Sequence, residues 1–172
     1  PSVVVAFFIL VAAAWSSASV GAFASDMMAK GGGDRERETA GWLIPGWNSD
    51  STPTDSGVET GWTTSGEYSG YLRSSDDSIW ETTGYAIQQG DDFALTFLGR
   101  NNWSGGALGD LKVSLYYDDG GARVAFGSAF VVLDQAAEAP EEIAMSFTAP
   151  GAAAGMNVGV EFDNTTAGEG SW

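Results

Sequence analysis

Apolar residues alternate with polar ones between Gln89 and Gly121, and this alternation constrains the fold more than any other stretch of the chain. In its first half, Phe93, Leu95 and Phe97 fall on one side of an extended chain. In its second half, one side carries four apolar or aromatic residues, Leu111, Val113, Leu115 and Tyr117, and the other carries Lys112, Ser114, Tyr116 and Asp118. A period of two is typical of β-strands with one buried face and one solvated face. The stretch therefore predicts two strands of a half-buried sheet.

Similar segments recur along the chain, and turn residues separate them at intervals of roughly 8–12 positions. The further strands are predicted at 58–62, 65–72, 79–87, 123–133, 143–147 and 156–162. Asp118-Asp119-Gly120-Gly121 is a strong hairpin signal, and Gln89 to Asp92 forms a second turn. No helical period appears after the first 24 residues. This pattern predicts an all-β protein, an antiparallel β-sandwich of the jelly-roll type.

The first 24 residues predict a separate hydrophobic helix. Residues 2–24 carry no charge, and the apolar run from Val3 to Ala14 is shorter than the roughly 20 residues of a membrane span. Ala22-Phe23-Ala24 fits the small-x-small rule for signal-peptide cleavage, which predicts a mature protein beginning at Ser25. A retained membrane anchor or a pilin-like assembly helix is the alternative.

The remaining chain divides by composition into a linker and one domain. Residues 25–40 contain Gly31-Gly32-Gly33 and a mixed-charge run, which is typical of a linker. Residues 41–172 form the predicted sandwich domain, and we expect its last strand to lie beyond the chain. The sequence begins with Pro and not with Met, so we also expect the gene to extend further at its start.

The charge of the chain excludes several classes of partner. It has 23 acidic and 7 basic residues, a formal net charge of -16. Nucleic acid is excluded, because phosphate binding needs a basic patch. Anionic membrane surfaces are disfavoured for the same reason, so we expect membrane contact only through an uncleaved N-terminal segment.

The residue types present also argue against an enzyme. The chain has no His and no Cys, which excludes Ser-His-Asp and Cys-His catalysis and most zinc sites. Glycoside hydrolysis needs two carboxyl groups that face each other across a cleft. The paired acids here, such as Asp76-Asp77 and Glu141-Glu142, lie in predicted turns, where carboxylates are solvated. We therefore expect a protein without catalytic activity.

Four short motifs carry a resemblance to a known family. They are Ile-Pro-Gly-Trp at 44–47, Ser-Gly-Tyr-Leu at 69–72, Gln-Gly-Asp-Asp-Phe-Ala-Leu-Thr-Phe at 89–97 and Gly-Val-Glu-Phe-Asp-Asn at 159–164. With these motifs the chain resembles the galactose-binding-like jelly-roll domains of exported bacterial proteins. Those domains are similar to carbohydrate-binding modules and to PEP-CTERM-type surface proteins. The resemblance implies a secreted or cell-surface protein that binds a glycan or polysaccharide.

The residues best suited to bind a sugar are predicted in the loop from Gly99 to Gly106. Sugar binding needs an aromatic ring for the apolar sugar face together with amide or guanidinium groups. The loop supplies these groups in four consecutive residues, Arg100, Asn101, Asn102 and Trp103. Alternatively, Trp103 caps the core and the Asn side chains satisfy turn backbone.

Other aromatic residues are given different roles. Tyr116, on the solvated face of its strand, is a second candidate platform, and cross-strand packing is its alternative role. Trp47, Trp62 and Trp80 are predicted to lie in the core.

Acidic residues near the turns are candidate calcium ligands. Calcium prefers clustered carboxylate and carbonyl oxygens, and the candidates are Asp118, Asp119, Glu161 and Asp163. No EF-hand spacing is present, so the prediction is a structural Ca²⁺ ion held in loops.

The sequence thus predicts an exported, non-catalytic glycan-binding module. A structural or adhesive surface subunit that self-assembles into filaments and takes no small ligand is the rival hypothesis. An accessory domain of a secreted hydrolase is the third.

Overall fold

The structure is a computed structural model, which describes residues 3–6, 10–14, 21–24, 47–50, 56–59, 69–72, 77–101, 109–133 and 140–165. These residues form two antiparallel sheets. One sheet contains β1 (Val3–Ala6), β2 (Leu10–Ala14), β3 (Gly21–Ala24), β5 (Ser56–Glu59), β6 (Ser69–Leu72), β8 (Asp92–Asn101) and β11 (Glu141–Thr148). The other contains β4 (Asn48–Ser49), β7 (Asp77–Ala86), β9 (Gly109–Asp119), β10 (Ala122–Leu133) and β12 (Asn157–Asn164). A 3₁₀ helix at Gly151–Ala153 precedes β12.

Strand β8 organises the seven-stranded sheet. Its residues Asp92 to Gly99 pair with β11, whereas β2 pairs with Asp92 to Ala94 and β1 pairs with Leu98 to Asn101. A strand has two edges, so β1 and β2 share one edge of β8 and β11 occupies the other. The order along the rest of this sheet is β3-β2-β8-β1-β6-β5.

The five-stranded sheet has the order β10-β9-β12-β7-β4. Its apolar face meets that of the seven-stranded sheet. Phe97 of β8 packs edge-on against Phe162 of β12, with ring centroids 5.2 Å apart, and Phe93 lies 5.8 Å from Phe126 of β10. Trp47 packs on Phe162 at 5.7 Å, as expected for a core residue. The two sheets thus enclose one hydrophobic core, which confirms the predicted antiparallel β-sandwich.

The core-facing half of the alternation in β9 is confirmed, whereas Ser114 and Tyr116 of the predicted solvated face are buried. Leu111, Val113 and Leu115 are buried in the core, and Tyr117 packs partly against it. The β9–β10 hairpin is confirmed as well, because Asp119 pairs with Ala122 across a two-residue turn. Gly120 and Gly121 have φ values of 62° and 97°, the left-handed values that a type I′ turn requires at both positions.

The prediction of a helix in the first 24 residues does not match the structure. The described parts of this segment are the strands β1, β2 and β3, and the first two pair with β8. Val3-Val4-Val5 is β-branched, and such residues favour strands once an edge is available for pairing. An apolar run by itself does not distinguish a helix from a strand. Cleavage after Ala24 stays a prediction, and the predicted linker at 25–40 lies outside the described residues.

The predicted loop from Gly99 to Gly106 is partly wrong. Gly99, Arg100 and Asn101 continue β8, because β1 pairs with all three and β11 pairs with Gly99. Gly99 permits this close packing, since a Cβ there would lie 2.9 Å from Leu133 Cδ2.

Within the described residues, no helix has the length and apolar character of a membrane span.

Candidate functional site

The five-stranded sheet has a second face, which points away from the core and which we call the outer face. Residues paired directly across neighbouring strands lie on the same face of a sheet. Two rows therefore cross it. They are Ala125–Tyr116–Gly159–Thr82 and Ser128–Ser114–Glu161–Trp80, each ordered β10, β9, β12, β7.

Tyr116 lies in the middle of the outer face, yet it is 0% exposed. Its ring covers Gly159, where any Cβ would overlap the ring. The hydroxyl is 2.8 Å from Thr82 Oγ1, and either oxygen can be the donor. Burial raises the pKa of Tyr116, and the hydrogen bond to Thr82 and the charge of Arg123 act in the opposite direction. The prediction that Tyr116 is an exposed platform is therefore wrong, because its ring faces are occupied by protein.

Trp80 is an aromatic residue of this face that remains partly exposed. The Cζ atom of Arg123 lies 3.6 Å from the centroid of the Trp80 ring, within the range of a cation–π contact. The same guanidinium places Nη2 3.1 Å from Glu161 Oε1. Arg123 thus reaches from the edge strand β10 toward β12 and β7 and joins an aromatic ring to a carboxylate.

Glu161 is also held by the residues at the start of β7. Ser78 Oγ lies 3.4 Å from Glu161 Oε1 and 3.1 Å from Asp50 Oδ2, and Ser78 N donates to Asp50 Oδ1 at 2.9 Å. A hydroxyl has one proton, so Ser78 donates to one of the two carboxylates at a time. Glu161 thus has a long contact with Ser78 in addition to its ion pair with Arg123.

We call these five residues, Asp50, Ser78, Trp80, Arg123 and Glu161, the Trp80 cluster. It combines a partly exposed indole with guanidinium donors, carboxylate acceptors and a hydroxyl. About a third of the Arg123 side chain, 32%, is exposed. An aromatic surface beside planar hydrogen-bonding groups is the combination that sugar binding uses.

The residues predicted for a sugar site are not assembled around Tyr116. Arg100 and Asn101 lie at the end of β8 in the seven-stranded sheet, whereas Tyr116 belongs to the five-stranded sheet. Arg100 alternates with the core residues Phe97 and Gly99, so it lies on the far side of the sandwich from the outer face. Asn102 and Trp103 lie outside the described residues.

The four predicted calcium ligands are spread over the outer face and the hairpin. Asp163 pairs with Lys112, and six positions separate Lys112 from Asp118 along β9, about 20 Å at the rise of a strand. One ion therefore cannot bind all four carboxylates. Asp119 is exposed beside the turn, and Asp118 Oδ1 accepts the Gly121 N–H at 2.6 Å.

The other two candidate ligands are ion-paired. Glu161 pairs with Arg123, and Asp163 Oδ2 lies 4.0 Å from Lys112 Nζ. Among the residues that the structure describes, no three acidic side chains form a metal-binding group. A structural Ca²⁺ stays a prediction.

The prediction that Trp80 lies in the core is wrong, and no sequence motif singles out Arg123. A signal was present for Trp80. Ile79 and Trp80 are consecutive, so only one of them faces the core of a regular strand. Ile79 is 0% exposed, and Trp80 takes the opposite face. No pattern in the sequence places Arg123 over Trp80, because three strand pairings bring them together.

Comparisons with known proteins found a similarity to a solved structure. No family model and no curated protein matches this chain. The structure is that of the CBM22-1 and GH10 modules of the N-terminal endo-1,4-β-D-xylanase 10B of Clostridium thermocellum, complexed with xylohexaose. The two chains are 20% identical with a TM-score of 0.48, and the match covers 70% of this chain and 23% of that chain.

Proposed function

We propose that this protein is an exported, non-catalytic module that binds a glycan through the Trp80 cluster. The observation that carries the proposal is the contact of Arg123 with Trp80 at 3.6 Å, together with its ion pair to Glu161 at 3.1 Å. This contact holds a planar set of N–H donors beside an indole on a solvent-facing sheet.

A pyranose ring meets the cluster in two ways. Its apolar face packs on the part of the indole that Arg123 leaves exposed, and its hydroxyl groups accept from the guanidinium N–H groups. The Glu161 carboxylate accepts from a further sugar hydroxyl. Because the ion pair with Glu161 already restricts the Arg123 side chain, less of its conformational entropy is lost on binding.

The charge of the chain favours neutral glycans over acidic ones. At a formal net charge of -16, the protein repels polysaccharides that carry carboxylate or sulfate groups. Within the cluster, Arg123 is neutralised by Glu161, so it leaves no isolated positive charge for an anion. The preferred ligand is therefore a neutral polysaccharide at the cell surface or in the extracellular matrix.

Affinity electrophoresis in gels that contain neutral or acidic polysaccharides tests this function. We expect retardation by at least one neutral polysaccharide and loss of retardation in Trp80→Ala and Arg123→Ala. Arg100→Ala is the matched control, because it also removes a guanidinium group, but from the seven-stranded sheet. Loss of binding in Arg100→Ala or Trp103→Ala instead would assign binding to the residues predicted from the sequence, and no binding to any polysaccharide would exclude the function.

A structural or adhesive surface subunit is the second candidate. The observation that favours it is the exposure of Phe130 and Val132 on β10. The two functions are compatible in one protein, because Arg123 lies at the start of β10, whereas Phe130 and Val132 lie near its other end.

A further inference from the structure

Phe130 lies on the same outer face as the Trp80 cluster, toward the opposite edge of the sheet. Its row runs Phe130–Lys112–Asp163–Ser78, ordered β10, β9, β12, β7. This row is the neighbour of the row that ends in Trp80, two positions along each strand. Phe130 is 70% exposed. The outer face therefore carries an exposed aromatic ring on β10 and a partly exposed one on β7.

The distance between Phe130 and Trp80 limits the ligands that can contact both. Three strand intervals separate β10 from β7, about 14 Å at the usual spacing of neighbouring strands. The step from one row to the next adds about 7 Å along the strands, so the two backbone positions are roughly 16 Å apart. A monosaccharide that packs on one ring does not reach the other. A ligand that contacts both rings is therefore an extended chain of several sugar residues.

The surface between the two rings is polar and partly exposed. About 36% of the Lys112 side chain and 26% of the Asp163 side chain are exposed. Glu161 is exposed to 19%, and the exposed Ser128 has its hydroxyl 2.9 Å from that of Ser114. These side chains supply ammonium donors, carboxylate acceptors and a hydroxyl. Sugar hydroxyl groups can pair with all three kinds of group.

The charges along this path cancel. Arg123 is paired with Glu161 at 3.1 Å, and Lys112 with Asp163 at 4.0 Å, so two cations balance two anions. The chain as a whole has a formal net charge of -16. A path without net charge on so acidic a protein suits an uncharged ligand, because an anion gains no local attraction to offset the repulsion by the rest of the chain.

We propose that Phe130 is a second aromatic contact of the glycan site, so that one extended chain of neutral sugar residues crosses the outer face from Trp80 to Phe130. This inference rests on the proposed function of the Trp80 cluster and adds to it the length and course of the ligand. The indole and the phenyl ring pack on the apolar faces of two sugar residues that are separated along the chain. The ion pairs between the rings meet the hydroxyl groups of the sugar residues in the middle.

Isothermal titration calorimetry of the full chain with cellohexaose, mannohexaose and xylohexaose, and with the corresponding disaccharides, tests the inference. We expect wild type to bind at least one hexasaccharide about tenfold or more tightly than its disaccharide. Phe130→Ala should weaken hexasaccharide binding about tenfold and leave disaccharide binding unchanged, because the disaccharide contacts only Trp80. Trp80→Ala should weaken the binding of both.

Two further variants separate the effect of a flat ring from that of an apolar surface. Phe130→Trp keeps a ring and should bind the hexasaccharide at least as tightly as wild type, whereas Phe130→Leu should not recover the affinity that Phe130→Ala loses. Val132→Ala is the matched control, because Val132 is exposed on the same strand but lies one row further from Trp80. It should bind as wild type does. Urea denaturation confirms that each variant is folded.

The outcomes distinguish this inference from the proposed function. If Trp80→Ala loses binding and Phe130→Ala binds the hexasaccharide as wild type does, the Trp80 site stands and its extension to Phe130 is overturned. The same result is expected if Phe130 contacts another subunit and not the glycan. Equal affinities of wild type for hexasaccharide and disaccharide also overturn the inference. So does the absence of binding to any hexasaccharide, and retardation in polysaccharide gels then shows whether the proposed function survives.

Discussion

The guanidinium Cζ of Arg123 lies 3.6 Å from the centroid of the Trp80 ring, although β9 and β12 separate the strands of these two residues. Arg123 is also paired with Glu161, whose carboxylate receives a second contact from Ser78. The contact therefore belongs to a network and is not an isolated surface pair. Such a network contributes both to stability and to the geometry of the proposed site.

Replacing Arg123 with Ala should lower the free energy of unfolding by about 1 kcal/mol, through loss of the cation–π contact and a partly screened ion pair. Arg123→Lys should recover part of the stability, because the charge is kept. It should not recover glycan binding, since a lysine lacks the planar donor set. Urea denaturation and affinity electrophoresis of both variants measure the two effects. Equal binding by Arg123→Lys and wild type would show that only the charge matters.

Gly159→Ala should lower the free energy of unfolding by about 2 kcal/mol, because a methyl group there overlaps the Tyr116 ring. The expected cost falls sharply when Tyr116→Ala is already present, since the overlap is then relieved. A double-mutant cycle followed by thermal denaturation measures this coupling. Additive effects of the two substitutions would contradict the close packing of the ring on Gly159.

Tyr116 should make the folded protein sensitive to alkaline pH. Burial raises its pKa above the ordinary value of 10.0, so the folded state keeps a proton that the unfolded state loses. The stability from this group is complete below pH 10 and is lost as the pH rises through the folded pKa. Urea titrations at increasing alkaline pH should show a smaller decline for Tyr116→Phe than for wild type. If the unfolding free energies of wild type and Tyr116→Phe declined in parallel, the alkaline sensitivity would belong to the other tyrosines.

The Asp91 side chain should stabilise the turn that connects the two sheets. It is buried, and its Oδ2 accepts hydrogen bonds from Tyr85 Oη at 2.9 Å and from Gln88 N at 2.8 Å. Asp91→Ala leaves both donors without this partner and should cost about 2 kcal/mol or more in unfolding free energy. Asp92→Ala is the matched control, because the neighbouring carboxylate is exposed. Similar melting temperatures for the two variants would contradict the structural role of Asp91.

The sequence predicted the parts of the fold that depend on local pattern. The core-facing positions of β9 and the Gly120-Gly121 turn follow from local pattern, and both are confirmed. The helix predicted in the first 24 residues does not match the described strands, because an apolar run such as Val3 to Ala6 can form a helix or a strand, and here it pairs with β8.

The candidate site was harder to predict than the fold. Residue type alone suggested that Tyr116 is a platform, but its burial depends on Gly159 from another strand. Arg123 and Trp80 are 43 positions apart, and sequence spacing carries no information about which residues meet across four strands.

The most direct measurement is the affinity of one neutral polysaccharide for wild type, Trp80→Ala and Arg100→Ala, determined by isothermal titration calorimetry. Trp80→Ala should weaken binding about tenfold or more, because the aromatic surface is lost, and Arg100→Ala should bind as wild type does. Undiminished binding by Trp80→Ala, or its loss in Arg100→Ala, would contradict glycan recognition by the outer face of the five-stranded sheet.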